Sequence, residues 1–283
     1  MKDGKETLRE ESRIRKMLAA PLSVSRDLVF PRRCPVCDRP VRPAGALICP
    51  ECEQMLERVE EPVCRRCGKP LRSPDRHFCG DCLSLHHIYE RGCAVFTYHS
   101  AAGGLFRFKY GGRQEYGAFY GSCMAQKLEE FTGRAGTGQD PGLPGPEDLR
   151  TGGGYPRPGI PRPDFLVPVP LSARRLKKRG YNQALVLARE VSARTKVPVL
   201  DHALGRVSDT LPMKNMAPAE RQNNLKKAFQ AFGNDVELKT IMLIDDIYTT
   251  GSTVDACADA LYRRGAGHVF FMTLAIGEDS SDG

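Results

Sequence analysis

Residues 241–276 constrain the fold more than any other part of this chain. Ile241-Met242-Leu243-Ile244 is an unbroken apolar run, the pattern of a strand buried on both faces of a parallel sheet. Asp245 and Asp246 stand where that strand is expected to end. Thr249, Thr250, Gly251, Ser252 and Thr253 then form a short loop of hydroxyls around one glycine. Val254, Cys257, Ala258 and Leu261 recur at i, i+3, i+4, i+7, which predicts an amphipathic helix. Gly265 is its expected stop, and His268 to Ile276 reads as the next strand. Strand, loop, helix, strand is a βαβ unit, so the expected class is α/β, with a parallel sheet covered by helices on both faces. Ligands of such open sheets bind at the carboxyl ends of the strands, where the Asp245–Thr253 loop falls.

The residue types in that loop narrow the ligand. Backbone N–H groups and hydroxyls from Thr249 to Thr253, just before a helix N-terminus, suit a phosphate. Asp245 and Asp246 repel a phosphate, but they accept hydrogen bonds from a diol or hold the water shell of Mg²⁺. A ligand with a phosphate at one end and two sugar hydroxyls at the other satisfies both halves, which describes a ribose 5-phosphate. The stretch resembles the phosphoribosyl pyrophosphate (PRPP) signature of type I phosphoribosyltransferases. That resemblance implies that Asp245 and Asp246 hold the ribose hydroxyls of PRPP, with Mg²⁺, and that the following loop holds its 5-phosphate.

A second signal lies near the start of the chain. Eight of the 11 cysteines fall between Cys34 and Cys82. Cys34, Cys37, Cys49 and Cys52 recur thirty positions later as Cys64, Cys67, Cys79 and Cys82. Grouped CxxC pairs in a chain without an export signal point to metal rather than disulfides. Two CxxC knuckles supply four thiolates to a tetrahedral Zn²⁺, so residues 31–85 read as a double zinc ribbon with two structural sites. Pairing within each repeat is the expected scheme, and an interleaved scheme is the alternative. A module this small lacks the apolar core to fold unaided. His77, His86 and His87 flank the ribbons and read as surface residues. Cys93, Cys123 and Cys257 read as buried small hydrophobes.

The remaining segments carry weaker signals. Residues 1–30 are a polar lead with a short helix expected over Ser23 to Phe30. Residues 90–277 are expected to form the second domain, and 278–283 a polar tail. Cys93 to His99 reads as a strand, Ala101 to Tyr110 as a helix, and Arg113 to Phe131 as another. Lys109 either faces the ligand or is solvated. Residues 132–163, rich in Gly and Pro, read as a flexible insert. Asp164 to Pro170 is an expected strand. The basic run Arg174, Arg175, Lys177, Lys178, Arg179 then precedes a helix from Ala184 to about Thr195, with Leu185, Ala188 and Val191 on one face. The run grips pyrophosphate, nucleic-acid backbone or both, or is a solvated loop. Ala219 to Lys227 looks helical, and Phe229 and Phe232 are expected to pack on the sheet. The chain carries a net charge of +8 and a pI near 9.0, compatible with a polyanion partner. No apolar segment is long enough for a membrane span and no signal peptide is recognisable, so a cytoplasmic protein is expected.

The order of motifs resembles the ComF family of competence-associated proteins. The carrying segments are FPRRCPVC at 30–37, CRRCGKPL at 64–71, FKYGG at 108–112, VPVPLSARRLKKRGYNQA at 167–184, ERQNNLKKAF at 220–229 and IMLIDDIYTTGSTVDACADAL at 241–261. Met213 stands where the family commonly has glutamine. The resemblance implies a type I phosphoribosyltransferase-like domain behind the ribbons and a protein that handles single-stranded DNA during natural transformation. Possible partners are then a competence helicase or another DNA-uptake protein. Two alternatives stand beside this reading. One is a true phosphoribosyltransferase acting on an unidentified base or amine. The other is a docking module regulated by PRPP.

Overall fold

A computed structural model describes residues 31–43, 45–133, 159–207 and 228–278. The expected helix at Ser23–Phe30, most of the Gly/Pro insert, Met213, the expected helix over Ala219–Lys227 and the polar tail from 279 onward lie outside the described residues.

The core of the second domain is a four-stranded, wholly parallel sheet. Its strands are β1 (Gly92–Thr97), β2 (Phe165–Pro168), β5 (Thr240–Tyr248) and β6 (His268–Ile276), in the spatial order β1-β6-β5-β2. A small antiparallel hairpin, β3 (Leu204–Arg206) with β4 (Phe229–Ala231), stands beside it. The two central strands, β5 and β6, are buried along nearly their whole length, which explains their unbroken apolar sequence. Period-two alternation then sorts their side chains into two cores. Met242, Ile244, Phe270 and Met272 face one side, with α3 (Tyr98–Tyr110), α4 (Gly117–Gly133) and α6 (Gln183–Thr195). Ile241, Leu243, Val269 and Phe271 face the other, with α7 (Ser252–Tyr262) and the hairpin.

The two ribbons divide between these faces. The first contains the one-turn helix α1 (Pro50–Glu53), and its Cys34, Ile48, Cys49, Cys52 and Leu56 join the core of α3 and α4. Gly104 of α3 permits that approach, since a Cβ there would lie 2.4 Å from the Pro35 carbonyl oxygen. The second contains α2 (Gly80–Ser84), and its Cys64, Cys67, Leu71 and Cys79 join the core of α7. The linker between the ribbons passes over edge strand β1. Val59 N–H donates to Val95 O at 2.8 Å, and Thr97 N–H donates to Glu57 O at 2.9 Å. The double ribbon therefore straddles the sheet and covers an edge that would otherwise expose unpaired backbone.

Several sequence expectations need correcting. Strand β5 does not end at the acids but runs through Asp245 and Asp246 to Tyr248, because β6 keeps pairing with it as far as Tyr248↔Ile276. Strand β2 stops earlier, at Pro168↔Ile244, and its last bond to β5 runs from Val169 N–H to Ile244 O at 2.9 Å. The acids thus stand where β5 has lost one neighbour and kept the other, which opens a crevice on the β2 side. The basic run forms a helix, α5 (Ala173–Arg179), which the reading as an anion site or a solvated loop does not include. Ser172 Oγ accepts from Arg175 N–H at its start, Gly180 closes it at φ 80°, and three cations occupy the last turn, where the helix dipole favours them. On α6 the buried face is Ala184, Leu187, Ala188 and Val191, and Leu185 is only half-buried. Phe229 is buried as expected, whereas Phe232 is exposed.

Candidate functional site

Three segments far apart in sequence meet at the crevice beside β5. The first is Asp245-Asp246 at the strand's carboxyl end. The second is the last turn of α3, where Lys109 Nζ lies 2.9 Å from Asp246 Oδ1. The third is the last turn of α5, where Arg179 Nη1 lies 3.9 Å from Asp246 Oδ2. Tyr110 organises the cations. Its ring lies under the Lys178 ammonium at 5.3 Å and the Arg179 guanidinium at 5.1 Å. Arg179 also donates to Tyr110 Oη at 3.3 Å and to Gln183 Oε1 at 2.8 Å. The hydrogen bond from Arg179 holds the Tyr110 hydroxyl below its ordinary pKa.

The two carboxylates are not equivalent. Asp246 is buried and paired with both cations. Asp245 keeps an opening to solvent but is crowded by protein, and among the described residues its Oδ1 accepts from the Asp246 N–H alone, at 2.8 Å. Burial, and then the neighbouring Asp246 charge, push the Asp245 carboxyl up to about 7. A carboxylate so placed gains from a cation or from hydroxyl donors.

The loop that follows leads into α7. Gly251 is the N-cap, at φ 81°, a conformation that glycine adopts without strain. Among the described residues no side chain caps this helix. Thr249 and Thr250 are exposed, Ser252 and Thr253 are half-buried, and Thr250 Oγ1 lies 3.1 Å from Ser252 Oγ. Hydroxyls and first-turn N–H groups are thus presented together at a positive helix end.

The basic run divides by position. Arg179 alone reaches the acid pair, while Arg174, Arg175, Lys177 and Lys178 are exposed along α5. Tyr181 is half-buried and its hydroxyl donates to the Phe108 carbonyl, which removes it as an open stacking platform. Exposed aromatics beside α5 are instead Phe106 and Tyr110 of α3, with ring centroids 5.2 Å apart. A cavity of about 500 Å³ lined by Arg58, Val63, Gly68, Arg91 and Lys127 lies near β1 and α4 and shares no residue with this site.

The cysteines form two separate clusters, Cys34, Cys37, Cys49, Cys52 and Cys64, Cys67, Cys79, Cys82, with the sulfurs of each within 4.8 Å of one another. Pairing therefore runs within each repeat, not between them. Thiols this close cannot all ionise without a counter-charge. Burial raises the Cys34 thiol, but backbone hydrogen bonds at Cys49, Cys37 and Val36 outweigh it and bring it down to about 7. Burial and the sulfurs of Cys37 and Cys34 push Cys52 up to about 12. A dication stabilises all four thiolates together, and a closed Cys₄ set is the ligand set of structural Zn²⁺. With four protein ligands no position remains for substrate.

Sequence reading missed one pair. His87, expected at the surface, is wholly buried, with Nδ1 2.8 Å from Asp255 Oδ2 in the first turn of α7. The one local signal is the aromatic neighbour two residues on, since Tyr89 is fully buried as well.

The ribbon region matches the family model of the double zinc ribbon domain over residues 25–83. Among curated proteins, competence protein F of Haemophilus influenzae is 33% identical over 115 residues, covering 40% of this chain and 50% of that protein. DNA utilization protein YhgH of Escherichia coli K12 is 35% identical over 111 residues, 39% of this chain and 48% of that protein. Competence protein ComFC of Bacillus subtilis is 34% identical over 118 residues, 38% of this chain and 43% of that protein. The chain spans about half the length of these curated relatives. Among the described residues, no helix is long and apolar enough to cross a membrane.

Two expectations follow from this geometry. Purified protein should carry two Zn²⁺ per chain by elemental analysis, and a value near one would show that one cluster does not bind. The raised Asp245 carboxyl should also shape stability. From its unfolded value of about 3.9 up to about 7, the folded state holds a proton that the unfolded chain releases. Stability from this group is therefore fully present below about pH 4 and lost as pH rises through about 7. Asp245→Asn should flatten the Tm profile across that window, and an unchanged profile would contradict the shift.

Proposed function

We propose that this chain, which belongs to the ComF family, binds PRPP with Mg²⁺ at the Asp245–Thr253 loop and handles single-stranded DNA in natural transformation. The observation that carries the first half is the convergence of Lys109 and Arg179 on Asp246 beside an uncapped helix N-terminus. PRPP has a 5-phosphate, a diol and a pyrophosphate. In this reading Thr249 to Thr253 receive the 5-phosphate, and Asp245 and Asp246 receive the diol. Lys109 and Arg179 then lie at hand for the pyrophosphate. Among the described residues no third carboxylate or imidazole joins Asp245 and Asp246 in a metal-binding group. Mg²⁺ would therefore take its remaining ligands from the ligand's phosphates and water, as this ion commonly does. Bound there, it would neutralise the pyrophosphate.

Removing the acid pair tests this half. Asp245→Asn with Asp246→Asn removes two charge-assisted acceptors, each worth roughly 1.5–3 kcal/mol. Calorimetry should show PRPP affinity falling at least tenfold, and unchanged affinity would contradict the assignment.

The DNA half rests on the names of the relatives and on the surface next to the site. The exposed cations of α5 flank Phe106 and Tyr110, and single-strand binding combines a basic groove with aromatic rings on which bases stack. For single strands the slope of log K against log salt is about −0.7 per phosphate contact. Replacing Arg174, Lys177 and Lys178 by alanine should flatten that slope by up to about 2 units and leave PRPP affinity intact. Phe106→Ala should weaken DNA binding by about 1 kcal/mol or more. A triple variant that loses PRPP and keeps its DNA slope would reverse these roles.

A further inference from the structure

The second ribbon and the candidate ligand loop share a buried seam. From Cys82, within α2, the chain runs on to His87, Ile88 and Tyr89, and each of these touches the elements that carry the loop. The Asp255 carboxylate accepts from the Ile88 N–H at 2.8 Å and faces His87 Nδ1 at 2.8 Å. His87 stacks on Tyr89 with ring centroids 4.8 Å apart. Tyr89 Oη shares a 2.6 Å hydrogen bond with Tyr248 Oη, and Tyr248 directly precedes Thr249. Gly251 rests on both side chains. A Cβ at Gly251 would lie 2.6 Å from Tyr248 Oη and 2.9 Å from His87 Cε1. His87 and Tyr248 thus form the floor of the loop.

This floor is continuous with the second metal cluster. Tyr89 and Tyr248 lie in the same buried cluster as Cys64, Cys67 and Cys79. The first metal cluster packs in the core on the opposite sheet face. His87 also carries an unusual cost, because its buried Nε2 has no hydrogen-bond partner among the described residues. An apolar ring would fill the same space without that cost, but it would lose the bond to Asp255. His87 is therefore held here for what Nδ1 does, which is to fix the first turn of α7.

We infer that His87 is a positioning residue that couples the second Cys₄ cluster to the Thr249–Thr253 loop, so that zinc in that cluster and an anion in the loop strengthen each other's binding. The inference rests on reading the loop as the phosphate site and specifies the regulation of that site. Zinc in Cys64, Cys67, Cys79 and Cys82 anchors the chain that leads to His87, and His87 and Ile88 hold Asp255. Asp255 in turn sets the N-terminus of α7 around Gly251. Linkage is reciprocal, so the factor by which zinc improves anion affinity equals the factor by which the anion improves zinc affinity. Among the described residues, no hydrogen bond joins the first ribbon to the loop or to α7, and its bonds run instead to Arg107, Arg113 and Tyr116.

The test uses the full chain loaded with zinc and needs no assumption about the ligand. Hydrogen exchange of the amides from Thr249 to Cys257 is compared in Cys82→Ser, Cys37→Ser, His87→Phe and His87→Asn. Exchange should accelerate about tenfold or more in Cys82→Ser and His87→Phe, and remain as in the parent in Cys37→Ser. His87→Asn should restore protection, because its amide N–H occupies the place of Nδ1–H, while both His87 variants keep two zinc ions. Should Cys82→Ser fail to fold, partial zinc removal from the parent by a chelator gives the same comparison, read as loop exchange against zinc content. Loop exchange that ignores the second cluster, or that follows both clusters equally, overturns the coupling. PRPP supplies the second readout, with affinity about tenfold weaker in His87→Phe and recovered in His87→Asn, within the usual range of coupling. If PRPP does not bind the parent at all but loop exchange still follows the second cluster, the PRPP reading fails and the coupling stands.

Discussion

An aspartate pair within the last residues of a buried strand demands counter-charge, and the rest of this domain is arranged to supply it. Two adjacent carboxylates in a partly desolvated crevice repel each other and lose hydration. Lys109 and Arg179 answer for Asp246, and each comes from the last turn of a different helix. That fixes the relative placement of α3, α5 and β5. The crevice exists because β2 stops pairing at Ile244 while β6 continues along β5 to Tyr248. Among the described residues Asp245 has no ion pair of its own, because Lys109 and Arg179 both pair with Asp246.

The ribbons solve a different problem. Each is too small to build a core, so metal holds it together. Once formed, the first ribbon contributes to one face of the sheet and the second to the other, and the linker between them seals edge strand β1. The module is therefore part of the second domain's packing rather than an independent appendage. Its second half reaches as far as the loop through His87 and Tyr89.

Much of this was legible in the chain itself. The apolar runs of β5 and β6 announced a parallel sheet, and the thirty-residue cysteine repeat announced two metal clusters. What escaped was the contribution of long-range neighbours. Nothing local says that β5 continues past Asp245, because β6 keeps it paired. Five like charges from Arg174 to Arg179 read as an anion site or a solvated loop but not as a helix, because the Ser172 and Gly180 caps that make them one are single residues. His87 read as exposed because its partner, Asp255, is 168 residues away. The division of the basic run, with Arg179 turned inward and its neighbours outward, depends on Tyr110, which arrives from another helix.

In the proposed complex, the loop from Thr249 to Thr253 orients the phosphate and the acid pair orients the sugar. Lys109 and Arg179, which pair with Asp246, would meet the pyrophosphate. The most direct measurement is a crystal structure of the zinc-loaded protein with PRPP and Mg²⁺. The 5-phosphate should lie within hydrogen-bond reach of the backbone N–H groups of Thr250 to Thr253, with the ribose hydroxyls on Asp245 and Asp246. PRPP bound elsewhere, or a loop that stays empty at saturating PRPP, would contradict the assignment.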